Sequence, residues 1–261
     1  MPSEIQVERR DGGRIAIVTI NRPHRRNACD LQAWTDLRDT FLGFAQDTSV
    51  RLAVLTGAAG HFCAGDDILA FREALSDPVR ADAYRAVIQA CFAAVQDAPT
   101  PVVAAISGVC VGGGASLALC CDFRVGDGSA RVSVPVAKLG LVYPTIQLIR
   151  LSHLIGVSAA RQWLYTGKSV DGAQAHQAGF IDSVAADDPV TAAIQFGADM
   201  MDNAPLSIAG SKLQLNAISA GTVAEQDARI NEIFDRANNS EDYRNAATAF
   251  AQKRKPVFVG R

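Results

Sequence analysis

Thr100–Val125 reads TPVVAAISGVCVGGGASLALCCDFRV, and the fold is decided by how this stretch is read. Pro101–Ile106 is a short apolar run rich in valine, the pattern of a strand buried on both faces. Gly108 and then Gly112, Gly113 and Gly114 interrupt it, and Gly114–Cys121 resumes as small and apolar residues with the length of a short buried helix. Pro101–Cys121 carries no charge over about 20 residues, the length that a bilayer span requires. Three consecutive glycines make a poor helix interior, and no Lys/Arg cluster or aromatic belt flanks the segment. A strand, a glycine turn and a helix fit better than a membrane anchor.

Working outward, the same alternation repeats. Arg14–Asn21 (RIAIVTIN) has the β-branched content of a strand and ends at the turn Asn21–Pro23. Asp30 is placed to cap a helix running to about Ala45, with Leu31, Trp34, Leu37, Phe41 and Leu42 on one face. Leu52–Thr56 is a second buried strand, followed by the loop GAAGHFCAGDD. Asp82–Gln96 has helical period. Asp122–Val125 and Arg131–Val134 are short strands. Helices are expected from Pro144 through His153, over Ser158–Tyr165, and from an Asp171 cap to Gly179. Ile181–Ala185 is a last strand, and the pattern is helical from Thr191 with breaks at Pro205 and near Gly221. Strands alternating with helices argue for an α/β core followed by a helical C-terminal part.

Composition agrees with a globular chain. The 261 residues are 49% hydrophobic and 20% charged, with a net charge of −2, so nothing advertises nucleic acid or an anionic membrane. The polar start MPSEIQVERRDGG has no apolar segment of a secretory signal. The six cysteines form no C-x-x-C pair and no zinc-like spacing with histidine, so no metal is expected. They read as small buried hydrophobes in a reducing cytoplasm.

Chemistry concentrates in two glycine-bearing turns that follow buried strands, CAGDD at Cys63–Asp67 and GVCVGGGAS at Gly108–Ser116. There is no G-x-x-x-x-G-K-[ST] and no G-x-G-x-x-G, so neither a P-loop nor a dinucleotide fingerprint is present. Glycine lets a main chain approach a ligand closely, and a helix start offers free N–H groups. Two N–H groups converging from separate turns would form an oxyanion hole for a thioester enolate.

Both turns, in this order, resemble the crotonase (enoyl-CoA hydratase/isomerase) superfamily. The likeness extends through INRPHRRNA (Ile20–Ala28), LTGAAGHFCAGDDI (Leu55–Ile68), Thr100–Val125, KLGL (Lys138–Leu141) and FAQKRKPVF (Phe250–Phe258). It implies a spiral core of ββα units over residues 1–195, a helical trimerisation region over 196–261, and an acyl-CoA substrate. Coenzyme A enters only as part of that substrate, with no separate cofactor, in a homotrimer or a dimer of trimers. By position, the resemblance makes the N–H groups of Asp66 and Gly113 the oxyanion hole. It puts Arg25, Arg26 and Ala28 beside the CoA nucleotide, where solvated-loop arginines are the alternative. Ala64, Asp67 and Ile68 fall on the CoA side of the second loop, Asp67 at its customary acidic position. Lys253 matches a basic residue that reaches a neighbouring subunit's CoA.

The chain departs from the family at two catalytic positions. Hydratases carry a glutamate two residues after the glycine run and another four residues before the glycine of LGL; here these are Ser116 and Val136. Hydration needs one group to activate water and another to protonate the α-carbon, and neither serine nor valine has a suitable pKa. Tyr143, three residues after Gly140, would roof the acyl pocket, either as a packed aromatic or as a working hydroxyl. Decarboxylating relatives appear with a tyrosine at this place, and losing CO₂ from a malonyl-type thioester makes an enolate without a base. The Asp66 carboxylate is expected to stay out of the chemistry, since its charge would repel an enolate. His61 is expected at CoA phosphate or solvent. The expectation is therefore an enolate-stabilising acyl-CoA enzyme with weak ordinary hydration, against a malonyl-type decarboxylase and a non-catalytic CoA-binding protein.

Overall fold

The computed structural model describes residues 3–261. The chain begins with an antiparallel hairpin, β1 (Ile5–Arg10) and β2 (Ile15–Ile20). Helix α1 (Leu31–Phe44) leads to β3 (Leu52–Gly57); α2 (Ile68–Ala74) and α3 (Pro78–Asp97) lead to β4 (Val102–Ile106). The short β5 (Val109–Val111) precedes α4 (Gly113–Cys120), β6 (Phe123–Gly126) and β7 (Arg131–Ser133). Next come α5 (Val136–Leu139), α6 (Thr145–Thr166), β8 (Val170–Asp171), α7 (Gly172–Gln177) and β9 (Ser183–Val184). The remainder is helical: α8 (Pro189–Phe196), α9 (Ala198–Met201), α10 (Pro205–Ala220), α11 (Val223–Asn238) and α12 (Glu241–Ala251).

A six-stranded sheet runs β1-β2-β3-β4-β6-β9, parallel from β2 onward, and a smaller sheet runs β5-β7-β8. Strand side chains alternate between faces, so β2 sends Ala16, Val18 and Ile20 into the main core with α1, α3 and α4. It sends Ile15 and Ile17 into a second core that also holds Ala193 of α8. Covering on both faces explains why these strands read as unbroken apolar runs. All six cysteines are buried and unpaired.

Asp30 caps α1 by accepting from the Ala33 N–H at 2.9 Å. The buried face of α1 is Ala33, Trp34, Leu37, Phe41 and Phe44; Leu31 and Leu42, expected on it, are exposed. The correction is one of phase: at 100° per residue, Phe44 completes the stripe that Phe41 and Leu37 start, and Leu42 falls outside it. β1, α2 and β5 were not anticipated. β1 has one buried residue, Ile5, so little apolar alternation marks it. The helix from Pro144 and that over Ser158–Tyr165 meet as α6, whose helical backbone is interrupted at Gly156.

Helix α10 is tied to the core by Lys212, whose Nζ donates to Asp122 Oδ2 at 2.7 Å, while that oxygen also accepts from the Val102 N–H. The outer helices leave large apolar side chains in solvent, among them Leu215, Ile218, Phe234 and Phe250. Among the described residues no helix is long and apolar enough to cross a membrane.

Candidate active site

The site is built from main chain before any side chain enters. Residues 62–63 zip onto the start of the second turn: Phe62 N–H donates to Ser107 O at 2.8 Å, Cys63 N–H to Val109 O at 2.9 Å, and Val111 N–H to Cys63 O at 3.0 Å. On its other side the loop pairs with Cys29, whose N–H donates to Gly65 O and whose carbonyl accepts from the Asp67 N–H, both at 2.8 Å. In such a pairing the intervening residue turns its own N–H the other way. The Asp66 N–H therefore points away from Cys29, toward the glycine turn.

Gly113 meets it there as the first residue of α4. An N–H in the first turn of a helix has no acceptor inside the helix. A Cβ built on Gly113 would sit 3.4 Å from Asp66 N, and one built on Gly65 would sit 2.7 Å from Gly113 N. The two nitrogens thus border one small space. Gly65 is required twice over, since its φ of +96° disfavours any side chain and there is no room for one. Gly114 is required by contact alone: a Cβ there would lie 2.0 Å from Cys63 O. Two donors held by paired backbone, at a helix start, are the arrangement that stabilises a developing oxyanion.

Side chains gather around this hole. Asp66 Oδ1 accepts from Trp34 Nε1 at 2.9 Å, and Trp34 is fully buried. Burial pushes the Asp66 carboxyl up, with the Trp34 indole and the residue's own main-chain N–H acting in the opposite sense. Ser116 is buried in α4, its N–H donating to Gly112 O at 3.0 Å. Tyr143 packs on the main core, with its hydroxyl 3.8 Å from a Cβ built on Gly112. Burial pushes the Tyr143 phenol up to about 12, with the Ser116 side chain beside it acting in the opposite sense. The phenol is thus neutral at ordinary pH. Val136 is buried at the start of α5 and offers no polar atom.

The residues that the resemblance assigns to CoA converge less. Arg25 is half exposed, its Nε 3.8 Å from Asp67 Oδ2. Arg26 and Asn27 have positive φ, and the Arg26 carbonyl accepts from the Ala64 N–H at 3.1 Å, so Arg26 shapes the loop through its backbone. Ala28 is buried, Ala64 is half-buried and Ile68 is exposed. The Asp67 carboxylate is occupied structurally: it accepts from the Leu69 N–H to cap α2 and lies 3.5 Å from the buried Arg22 guanidinium. Lys253 is exposed just past α12. His61 is half-buried, and its Nδ1 accepts from the Val109 N–H at 3.3 Å and so braces the second turn. Trp34 and Tyr84 were missed as site residues. The Tyr84 hydroxyl is buried without a hydrogen-bond partner and lies in the field of Asp66. A buried indole needs an acceptor, which was the available signal for Trp34. Among the described residues, no group of His, Cys, Asp and Glu side chains is arranged to hold a metal ion.

The fold and its two paired turns define an α/β class, and the relatives narrow it. Residues 10–261 match the Enoyl-CoA hydratase/isomerase family. The chain is 31% identical to the 2,3-dehydroadipyl-CoA hydratase of Escherichia coli, covering 99% of this chain and 100% of that protein. It superposes on an enoyl-CoA hydratase/carnithine racemase from Magnetospirillum magneticum with a TM-score of 0.88 and 34% identity, over 100% and 97% of the two chains. An enoyl-CoA hydratase from Bacillus anthracis gives a TM-score of 0.86 at 26% identity, over 99% and 100%. The chain belongs to the enoyl-CoA hydratase/isomerase family.

Proposed function

We propose that the protein converts an acyl-CoA thioester through an enolate held by the N–H groups of Asp66 and Gly113, with little of the family's ordinary hydration. The feature that supports this reading is the juxtaposition of the Asp66 and Gly113 nitrogens in a chain with no glutamate at either family position. Where hydratases have their two carboxylates, this chain has Ser116, beside the Tyr143 phenol, and the apolar Val136. Each general acid or base contributes about 10²–10⁴-fold, so without both glutamates water addition is slow while enolate stabilisation persists.

The neutral Tyr143 and Ser116 hydroxyls favour one second reading, decarboxylation of a malonyl-type thioester. Uncharged donors orient a substrate carboxylate without pinning it as a cation would, and CO₂ loss leaves the enolate in the hole. The exposed apolar side chains of α10–α12 support a homotrimer or a dimer of trimers, and the composition supports a cytoplasmic place. A panel of enoyl-, hydroxyacyl- and malonyl-CoA esters followed by mass spectrometry tests the reading. Turnover of one class with weak crotonyl-CoA hydration is expected. Hydration of crotonyl-CoA at rates usual for the family refutes it, and tight binding without turnover of any ester points instead to a non-catalytic CoA-binding protein.

A further inference from the structure

Asp66 brings a carboxyl as well as an N–H to the hole. Oδ1 is fixed by the Trp34 indole at 2.9 Å, and Trp34 is itself wedged edge-on against Phe92 with ring centroids 5.6 Å apart. Oδ2 faces the other way, 3.3 Å from a Cβ built on Gly113. One carboxyl oxygen therefore shares the space bordered by the two oxyanion donors.

The groups facing this carboxyl carry no positive charge. Trp34 donates to it from α1, and Cys29 on the segment before α1, Tyr84 on α3 and Tyr143 on the loop before α6 lie in its field. Arg22 spends its guanidinium on Glu4, Asp30 and Asp67, and Arg25 lies against Asp67. Burial without a counter-cation makes the proton easy to keep. The objection that a charged Asp66 would repel an enolate is answered by counting charges. While the carboxyl is ionised the thioester is neutral; once it has taken the α-proton, the enolate is the only anion of the pair.

We propose that the Asp66 carboxyl moves the α-proton of the acyl-CoA, doing the work of the missing glutamates. The proposal rests on the functional reading above. In the forward sense the Cα–H pair becomes the enolate C=C, the thioester C=O pair moves onto oxygen, and the proton passes to Oδ2. In reverse the enolate takes that proton back at Cα, the C=O reforms, and the electrons of the O–H bond stay on Oδ2. Exchange of the carboxyl proton with water makes the cycle visible in D₂O.

Deuterium uptake at Cα of butyryl-CoA, read by mass spectrometry, tests the step, with calorimetry measuring butyryl-CoA affinity in parallel. Asp66→Asn keeps the size and the main-chain donor but carries no transferable proton. Its exchange rate is expected to fall at least about 100-fold with affinity within about three-fold, and Asp66→Glu restores part of the rate. The wild-type rate is expected to rise with pH through a bend above the ordinary carboxylate range, and the bend is absent in Asp66→Asn. Exchange retained within about three-fold in Asp66→Asn, or a wild type that binds butyryl-CoA without exchanging it, overturns this proposal alone. No binding of butyryl-CoA by the wild type overturns the functional reading together with it.

Discussion

The floor and the roof of the site were built by different means. The floor is main chain: residues 62–67 paired on one side with Cys29 and on the other with Ser107–Val111, with glycines where a Cβ would strike backbone. The roof, from Val136 to Tyr143, is a single turn of helix and a loop whose Leu139, Leu141 and Val142 stand in solvent. The glycine turns of the floor match the family's pattern, whereas the glutamate positions at Ser116 in α4 and at Val136 in the roof do not. Backbone donors need only the fold to hold them, whereas an acid–base group depends on the identity of one side chain.

The largest test strikes the floor. Gly114→Ala puts a methyl 2.0 Å from the Cys63 carbonyl, so a loop or a helix must shift. Destabilisation of about 3 kcal/mol is expected, a fall in Tm of roughly 6–12 °C by calorimetry. An unchanged Tm would mean that the two turns are not locked together. Gly65→Ala adds a methyl 2.7 Å from Gly113 N and strains a φ of +96°. It should lower acyl-CoA turnover by about 10²–10³-fold, since it obstructs a donor of the hole.

The side-chain positions around the floor should be more permissive. Ser116→Glu with Val136→Glu returns both carboxylates and should raise crotonyl-CoA hydration by about 100-fold or more in a spectrophotometric assay. No gain would show that the roof's backbone, and not its side chains alone, has diverged. Tyr143→Phe removes a hydroxyl that stays neutral up to about 12, so it should slow turnover by about ten-fold without altering the shape of the pH profile.

The smallest effect is thermodynamic. Burial raises the Asp66 carboxyl above its unfolded value, so its contribution to folding is complete below about pH 4 and is lost as pH rises through the raised value. Asp66→Asn has no charge to bury. It should melt about 2 °C above the wild type at neutral pH, with the gap closing toward pH 4.

Much of the fold was legible residue by residue. The apolar runs of β2, β3 and β4, the Asp30 and Asp171 caps and the breaks at Pro205 and Gly221 are local signals, and the elements stand where those signals put them. β5 was not legible, because three residues between glycines carry no period; it is a strand only through its pairing with β7 and with Cys63. The candidate hole was visible as two glycine turns with Ser116, Val136 and Tyr143 near them, while Trp34 and Tyr84 were not. Trp34 reads as one more apolar residue of α1 until Asp66, 32 residues on, accepts its N–H.

By itself the sequence determined an α/β chain with two glycine turns and no glutamate at either family position, because backbone propensity, periodicity and residue identity are local properties. The tertiary structure alone decided that the Asp66 and Gly113 nitrogens border one space, that Tyr143 lies beside Ser116, and that the half-buried Asp66 carboxyl meets Trp34. Proximity and desolvation arise from segments far apart in the chain, and no local pattern encodes them.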